Sequence, residues 1–180
     1  LRGVEVIHCH SVAAADEKRL RVLCGGAEEQ GTSGEQRVVW DGALTVADGG
    51  VDDVQSVGLQ SPLDQVEHVD GQRIAWRAAT GGNDMGFSFE VEGGRCAFYT
   101  VHCQFEFAVD EVRSQALTVD AGGVSKRVNV GPAPKEDGPR RVDFSFGDEA
   151  PLSGEQAYWV RVVQVDQEQA WSSPVYVKRS

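Results

Sequence analysis

The chain has 180 residues, of which 41% are hydrophobic and 25% are charged, and its formal net charge is −11. This length favours a single domain, and these proportions are typical of a soluble globular protein. The negative charge disfavours nucleic acids and anionic membranes as partners, because both bind basic surfaces. No apolar run approaches the roughly 20 residues of a membrane-spanning helix, so a membrane protein is not expected.

The first residues predict a strand and then a change of direction. Val4–Val12 alternates loosely, as a strand does. Ala13–Lys18 has the highest helix propensity of the chain, so a short helix from Ala13 to Arg19 is one alternative. A turn is favoured over that helix, because Leu20–Cys24 follows at once with the pattern of a strand.

From Gln36 onwards the sequence predicts a series of short strands. Paired glycines such as Gly49-Gly50 and Gly122-Gly123 separate them, and glycine adopts positive φ without a steric penalty. Strands recurring at intervals of about 8–12 residues indicate an antiparallel β-sandwich, jelly-roll or immunoglobulin-like, with at most one short helix. The predicted strands are Arg37–Trp40, Ala43–Val46, Val51–Leu59, Arg73–Ala79, Met85–Val91, Cys96–Val101, Gln104–Val109, Ala116–Val119, Val124–Val130 and Val142–Phe146.

The clearest pattern lies near the end of the chain. Tyr158–Asp166 alternates with period two, so its even-numbered residues face one way and its odd-numbered ones, including Trp159 and Arg161, face the other. Val175–Val177 predicts a second strand that returns beside the first. Pro174 cannot donate a ladder hydrogen bond and is expected at the start of that strand or on a free edge.

Four segments carry a resemblance to a known family. Tyr158–Val162, followed by Gln164-x-Asp166, and Ala170–Val177 look like the closing segment of a β-domain. Arg37–Val46 resembles its W-x-G-x-L-x-V strand, and Ile74–Gly81 resembles its V-x-W-x-S-x-T-x-G strand and turn. This domain lies at the C-terminus of bacterial PHP-type (polymerase-and-histidinol-phosphatase) metal-dependent phosphoesterases of a poorly characterised family. The similarity runs from about Lys18 to the end of the chain.

The resemblance implies a non-catalytic accessory domain. Because no interior linker rich in Pro or Ser divides the chain, residues 1–180 are expected to form one β-sandwich. The family's chemistry resides in a separate upstream domain, so no catalytic residue and no cofactor is carried over. The implied partner is a catalytic domain of the same parent protein, and the implied role is to pack against it, shape substrate access or mediate assembly. Since the chain starts at Leu1 rather than Met, we expect an excised domain or a processed product.

Two patterns suggest metal binding as an alternative. His8 and His10 lie on one face of the first predicted strand, where both can reach one ion, and the PHP catalytic domain opens with such an H-x-H pair. They are the candidate metal ligands of a small hydrolase, but only His68 and His102 remain to complete a site. Asp48–Asp53 resembles a calcium-binding loop in its oxygen ligands, although a β-turn is favoured there.

The aromatic residues suggest a carbohydrate-binding module as a further alternative. Trp40, Trp76 and Trp159 lie in predicted strands beside valines and are expected in the core. Trp171 follows a turn and is expected to be half-exposed, so Trp171 and Tyr176 are the candidate ligand-binding residues.

The cysteine spacing and the composition lead to expectations about the thiols and the cellular compartment. The spacing of the four cysteines contains no C-x-x-C pair, so we expect buried free thiols rather than a zinc site or disulfides. The cytoplasm is the favoured cellular compartment. The cysteines are Cys9, Cys24, Cys96 and Cys103.

Overall fold

A computed structural model describes residues 3–6, 15–27, 37–81, 83–135, 141, 143–145, 147, 154–163 and 169–178. Most of these residues lie in strands, and they include one short helix, α1 (Val109–Ser114). The strands are β1 (Gly3–Val6), β2 (Ala15–Ala27), β3 (Val38–Ala47), β4 (Val51–Val57), β5 (Gln65–Asp70), β6 (Arg73–Thr80), β7 (Met85–Val91), β8 (Arg95–Thr100), β9 (Gln104–Ala108), β10 (Leu117–Gly122), β11 (Val124–Pro134), β12 (Glu155–Val163), β13 (Gln169–Trp171) and β14 (Val175–Lys178).

The chain divides into two compact units. The sandwich unit is Ala15–Ala133, and the terminal unit combines Leu1–Ala14 with Pro134–Ser180. That residues 1–180 form one domain stays a prediction.

The sandwich unit consists of two five-stranded antiparallel sheets packed together, which confirms the predicted all-β sandwich. The first sheet has the strand order β10-β11-β2-β7-β4, and the second has the order β5-β6-β3-β8-β9. Alternate residues of β6, Ile74, Trp76, Ala78 and Thr80, are buried, as expected for strands with one face on a core.

Aromatic side chains fill the space between the sheets. Trp76 of the second sheet contacts Phe87 of the first, with ring centroids 5.7 Å apart, and Trp40 stacks on Trp76 at 6.5 Å. Trp40 and Phe87 are fully buried, and burial of such side chains is the main stabilising contribution to the fold. The predicted core positions of Trp40 and Trp76 are thus confirmed.

A buried polar chain also joins the two sheets. The Trp40 indole N–H donates to Thr80 Oγ1 at 3.0 Å, and the Thr80 hydroxyl donates to the carbonyl of Gly26 at 3.0 Å. Gly26 has φ +103, and a Cβ there would lie 2.5 Å from the Cα of Lys126, so only glycine fits. These two hydrogen bonds satisfy polar groups that would otherwise be buried without partners.

Tertiary contacts change several predicted elements. The favoured turn over Ala13–Lys18 is wrong from Ala15 onwards, because β2 already begins there and pairing in the sheet overrides the helix propensity. The strand predicted over Val142–Phe146 is also wrong, since residues 143–145 are not in a strand. The sequence did not predict β5, which pairs with β6 as a hairpin but buries little apolar surface.

The helix α1 agrees with the expectation of at most one short helix. It follows β9 directly and buries Val109 and Val112 against the core, while the backbone N–H of Val109 donates to Gly94 O at 3.0 Å. Among the described residues no helix has the length and hydropathy to cross a membrane.

Candidate functional site

The terminal unit contains a four-stranded sheet, the C-terminal sheet, built around β12. On one side β12 pairs in parallel with β1, and on the other it pairs antiparallel with β13 and β14. The predicted closing hairpin is therefore confirmed, with Tyr158 opposite Val175. Pro174 immediately precedes β14, as expected for a residue without a backbone N–H.

Residues 172–174 join β13 to β14 along this side of β12. The backbone N–H of Ser172 donates to Val160 O at 2.9 Å, and the N–H of Val160 donates to Ser172 Oγ at 3.0 Å. Ser172 Oγ donates in turn to Ser173 O at 3.1 Å. The serine side chain thus replaces a ladder partner where the regular pairing is interrupted.

The pairing register brings aromatic side chains to one face of the C-terminal sheet. Trp171 lies opposite Arg161 and Tyr176 lies opposite Ala157. Directly opposed residues share a face, and so do residues two or four apart on one strand. Trp159, Arg161, Trp171 and Tyr176 therefore form one surface, the aromatic face.

The aromatic face is accessible. Trp171 is 60% exposed and Tyr176 is 57% exposed, whereas Trp159 is half-buried. Trp159 was predicted to be a core residue, and its partial exposure is a difference from that prediction. The expected half-exposure of Trp171 is confirmed.

The opposite surface of the same sheet, the valine face, carries Val162, Val175 and Val177. They are 45%, 64% and 38% exposed, respectively. Tyr158 belongs to this face, and its hydroxyl donates to Gln156 Oε1 at 2.8 Å, two residues away on the same strand. Both faces of the sheet thus present apolar side chains to solvent.

The candidate metal ligands His8 and His10 lie outside the described residues. Of the other two histidines, His68 is exposed on β5. His102 donates through Nε2 to Val39 O at 2.9 Å, and its ring packs edge-on against Trp40 at 4.9 Å. In the part of the chain that the structure describes, no group of three or more His, Cys, Asp or Glu residues is placed to hold a metal ion.

The acidic loop considered for calcium has other contacts. Asp48 lies in the turn between β3 and β4. Asp53 lies at a bulge of β4 and forms an ion pair with Arg19, whose guanidinium also lies 3.4 Å from Glu90 Oε1. Arg19 is therefore the cation that this carboxylate binds.

Three of the cysteines are free thiols, as expected, and Cys9 lies outside the described residues. Burial raises the pKa of Cys96 to about 12 and raises the pKa of Cys24 well above its ordinary range. Burial also raises the pKa of the half-buried Cys103, against a hydrogen bond from Thr100 that lowers it. These thiols stay protonated at neutral pH, and a protonated thiol is a poor nucleophile.

A shallow depression of about 370 Å³ lies on the outer face of the second sheet of the sandwich. Small side chains such as Thr45 and Ala97 line it, and Arg95 lies 3.7 Å from Glu106 at its rim. Both members of this ion pair are well exposed, so solvent screens their attraction.

The sequence pattern missed that Trp171 and Tyr176 share a face. They are five residues apart, and in a regular strand an odd separation places two side chains on opposite faces. Their partners on β12, Arg161 and Ala157, are four residues apart. The extra residue within 172–174 restores the common face, and no pattern in the sequence indicates this offset.

No protein-family model matches the chain, and neither does any curated protein or solved structure. The relationship to the PHP-type phosphoesterases therefore stays a prediction from the four resembling segments.

Proposed function

We propose that this chain is a non-catalytic accessory domain that binds a catalytic domain of the same parent protein through its valine face. The observation that carries the proposal is the exposure of Val162, Val175 and Val177 on one side of a single sheet. Adjacent exposed apolar side chains mark interaction surfaces more often than isolated ones do. Burying them against a partner gains roughly 25 cal/mol per Å² of apolar area.

The reactive groups of the sandwich have structural roles that agree with this proposal. The imidazole of His102 is hydrogen-bonded to a backbone carbonyl and covers an edge of Trp40. The thiols of Cys24 and Cys96 are buried and protonated. The surroundings of these groups are structural, which agrees with a recognition role for the surface of the C-terminal sheet.

The resemblance to PHP-type phosphoesterases suggests the identity of the partner. A β-domain that follows a metal-dependent phosphoesterase domain in one polypeptide meets its partner at high effective concentration. Such a contact needs only a modest apolar area, because the linker supplies much of the association free energy.

Hydrogen exchange in the complete translation product tests the proposal. We expect the backbone N–H groups of β14 to exchange at least tenfold more slowly in the complete product than in the isolated 180-residue chain. Val175→Asp should abolish this difference, whereas Val101→Asp should preserve it, because Val101 is equally exposed (65% against 64%) but lies in the sandwich. Equal exchange in the two proteins, or a complete product without a catalytic domain, contradicts the proposal.

Phosphatase activity provides an independent test of the same proposal. With divalent metal ions, the complete product should hydrolyse a phosphate monoester and the isolated chain should not. Hydrolysis by the isolated chain that His8→Ala or His10→Ala abolishes would instead support the alternative of a small metal-dependent hydrolase.

A further inference from the structure

We propose that the aromatic face binds a neutral oligosaccharide or polysaccharide, with Trp171 and Tyr176 stacking on sugar rings. This surface is opposite the valine face, so the inference does not depend on the partner proposed for that face. Glycan binding would add a second recognition function to the domain.

Exposure and side-chain type are the first argument. Trp171 and Tyr176 each leave more than half of their surface accessible, whereas the core of the sandwich buries Trp40, Trp76 and Phe87. The faces of these neutral rings have a partial negative charge, which attracts the weakly positive C–H groups on one side of a sugar ring. A sugar ring stacks on such a surface while its hydroxyl groups remain hydrogen-bonded at its edge.

The spacing of the rings indicates a chain of sugars rather than one. Trp171 and Tyr176 lie opposite residues four apart on β12, which corresponds to about 13 Å along the strand. Trp159 stands on the central strand between these two positions. A single sugar ring is too short to contact both ends of this row, so the ligand must span several rings.

Polar groups on the same face match sugar hydroxyls. Arg161 lies opposite Trp171, and at the other end Glu155 lies opposite Lys178, next to Tyr176. Guanidinium and ammonium groups donate hydrogen bonds and a carboxylate accepts them. Because a hydroxyl both donates and accepts, it is complementary to all three.

Charge distinguishes a neutral glycan from other ligands of aromatic surfaces. Single-stranded nucleic acids also stack on exposed aromatic rings, but they require a basic surface. The whole chain has a net charge of −11, and the aromatic face itself carries Arg161 and Lys178 against Glu155, which is too little positive charge for a nucleic-acid-binding surface. The negative net charge of the chain disfavours the approach of nucleic acids and acidic polysaccharides at low ionic strength, whereas it does not affect a neutral glycan.

Affinity electrophoresis and calorimetry with neutral polysaccharides test the proposal. The panel contains soluble β-glucan, xylan, mannan, galactan and α-glucan, together with single-stranded DNA and a proline-rich peptide as competing ligand classes. We expect saturable binding to at least one neutral member. Trp171→Ala and Tyr176→Ala should each weaken it at least tenfold, whereas the aromatic-retaining Trp171→Phe and Tyr176→Phe should weaken it less than the alanine variants.

Tyr99→Ala provides the matched control, because Tyr99 is as exposed as Tyr176 (53% against 57%) but lies on β8 of the sandwich. It should leave glycan affinity unchanged, and so should Val175→Asp on the valine face. The proposal is overturned if no neutral glycan binds, if binding is unaffected by both alanine variants, or if only the DNA or the peptide binds.

Discussion

The sandwich and the C-terminal sheet use the same kinds of residues in opposite ways. In the sandwich, Trp40 and Trp76 lie in regular strands and are 0% and 3% exposed. On the C-terminal sheet, Trp171 and Tyr176 also lie in strands but remain mostly accessible. An aromatic side chain in a strand therefore does not by itself reveal its role, because the role depends on whether a second sheet covers that face.

Charge separates the two regions as well. Residues 15–133 carry nine of the eleven excess negative charges of the chain. Lys178 is the single charged residue within 169–178, the segment that forms β13 and β14. The segment 169–178 is therefore nearly uncharged, which suits contact with apolar or neutral groups better than contact with charged ones.

The largest expected effect is the difference in stability between alanine variants of Trp40 and Trp171. Trp40→Ala removes a fully buried indole and should lower the free energy of unfolding by about 3–5 kcal/mol. Trp171→Ala removes an exposed indole and should change it by less than about 0.5 kcal/mol. Urea denaturation of the purified chain measures both, and similar losses in the two variants would contradict the distinction between core and surface.

A smaller loss of stability is expected when the buried hydrogen bonds between the two sheets are removed. Thr80→Val retains the side-chain shape but leaves the Trp40 N–H and the Gly26 carbonyl without their hydroxyl partner, at a cost of about 1–3 kcal/mol. Thr118→Val is the matched control, because the exposed Thr118 hydroxyl donates to Asn129 Oδ1 at 2.9 Å and water can replace it. Equal unfolding midpoints for the two variants would show that the buried chain adds nothing to stability.

Most strands of the sandwich could be predicted from the sequence, because local residue patterns determine where they begin and end. Glycine turns and period-two alternation predicted the strands from β6 to β9 to within a few residues, and alternation on β12 correctly placed Trp159 with Arg161. The strand β5 was missed because Val66 is its one side chain packed against the core. Its place depends on pairing with β6, which no local pattern encodes.

The candidate site was less predictable. Its residues, Trp171 and Tyr176, stand out as aromatic residues near turns, but their common face results from the connection over 172–174. A one-residue difference in such a connection moves every following side chain to the other face. The geometry of a binding surface of this kind therefore requires the register, which the sequence does not reveal.

Asp53, which pairs with Arg19 on the first sheet of the sandwich, allows the effect of backbone strain to be separated from the effect of charge. Asp53 has φ 42, in the left-handed region where glycine is unstrained and alanine is not. Asp53→Ala and Asp53→Gly both remove the contact with Arg19, but Asp53→Ala also retains the strain. Asp53→Ala should therefore be less stable than Asp53→Gly by about 1 kcal/mol in thermal unfolding. A more stable alanine variant would mean that the chain relaxes this φ.

The smallest effect near neutral pH concerns the thiols of the core. Burial raises the pKa of Cys96 from 9.0 to about 12, so folding disfavours its thiolate. The contribution of this thiol to stability is fully present below pH 9 and is lost progressively as the pH rises from 9 to about 12, because only the unfolded chain then ionises. Urea midpoints of the wild type and Cys96→Ala should therefore differ by a constant amount up to pH 9, and above it the wild type should lose stability relative to the variant. A difference that stays constant up to pH 11 would show that the thiol ionises as readily inside the sandwich as in water. The complete burial of Cys96 between Val46 of β3 and Phe107 of β9 makes such ionisation unfavourable.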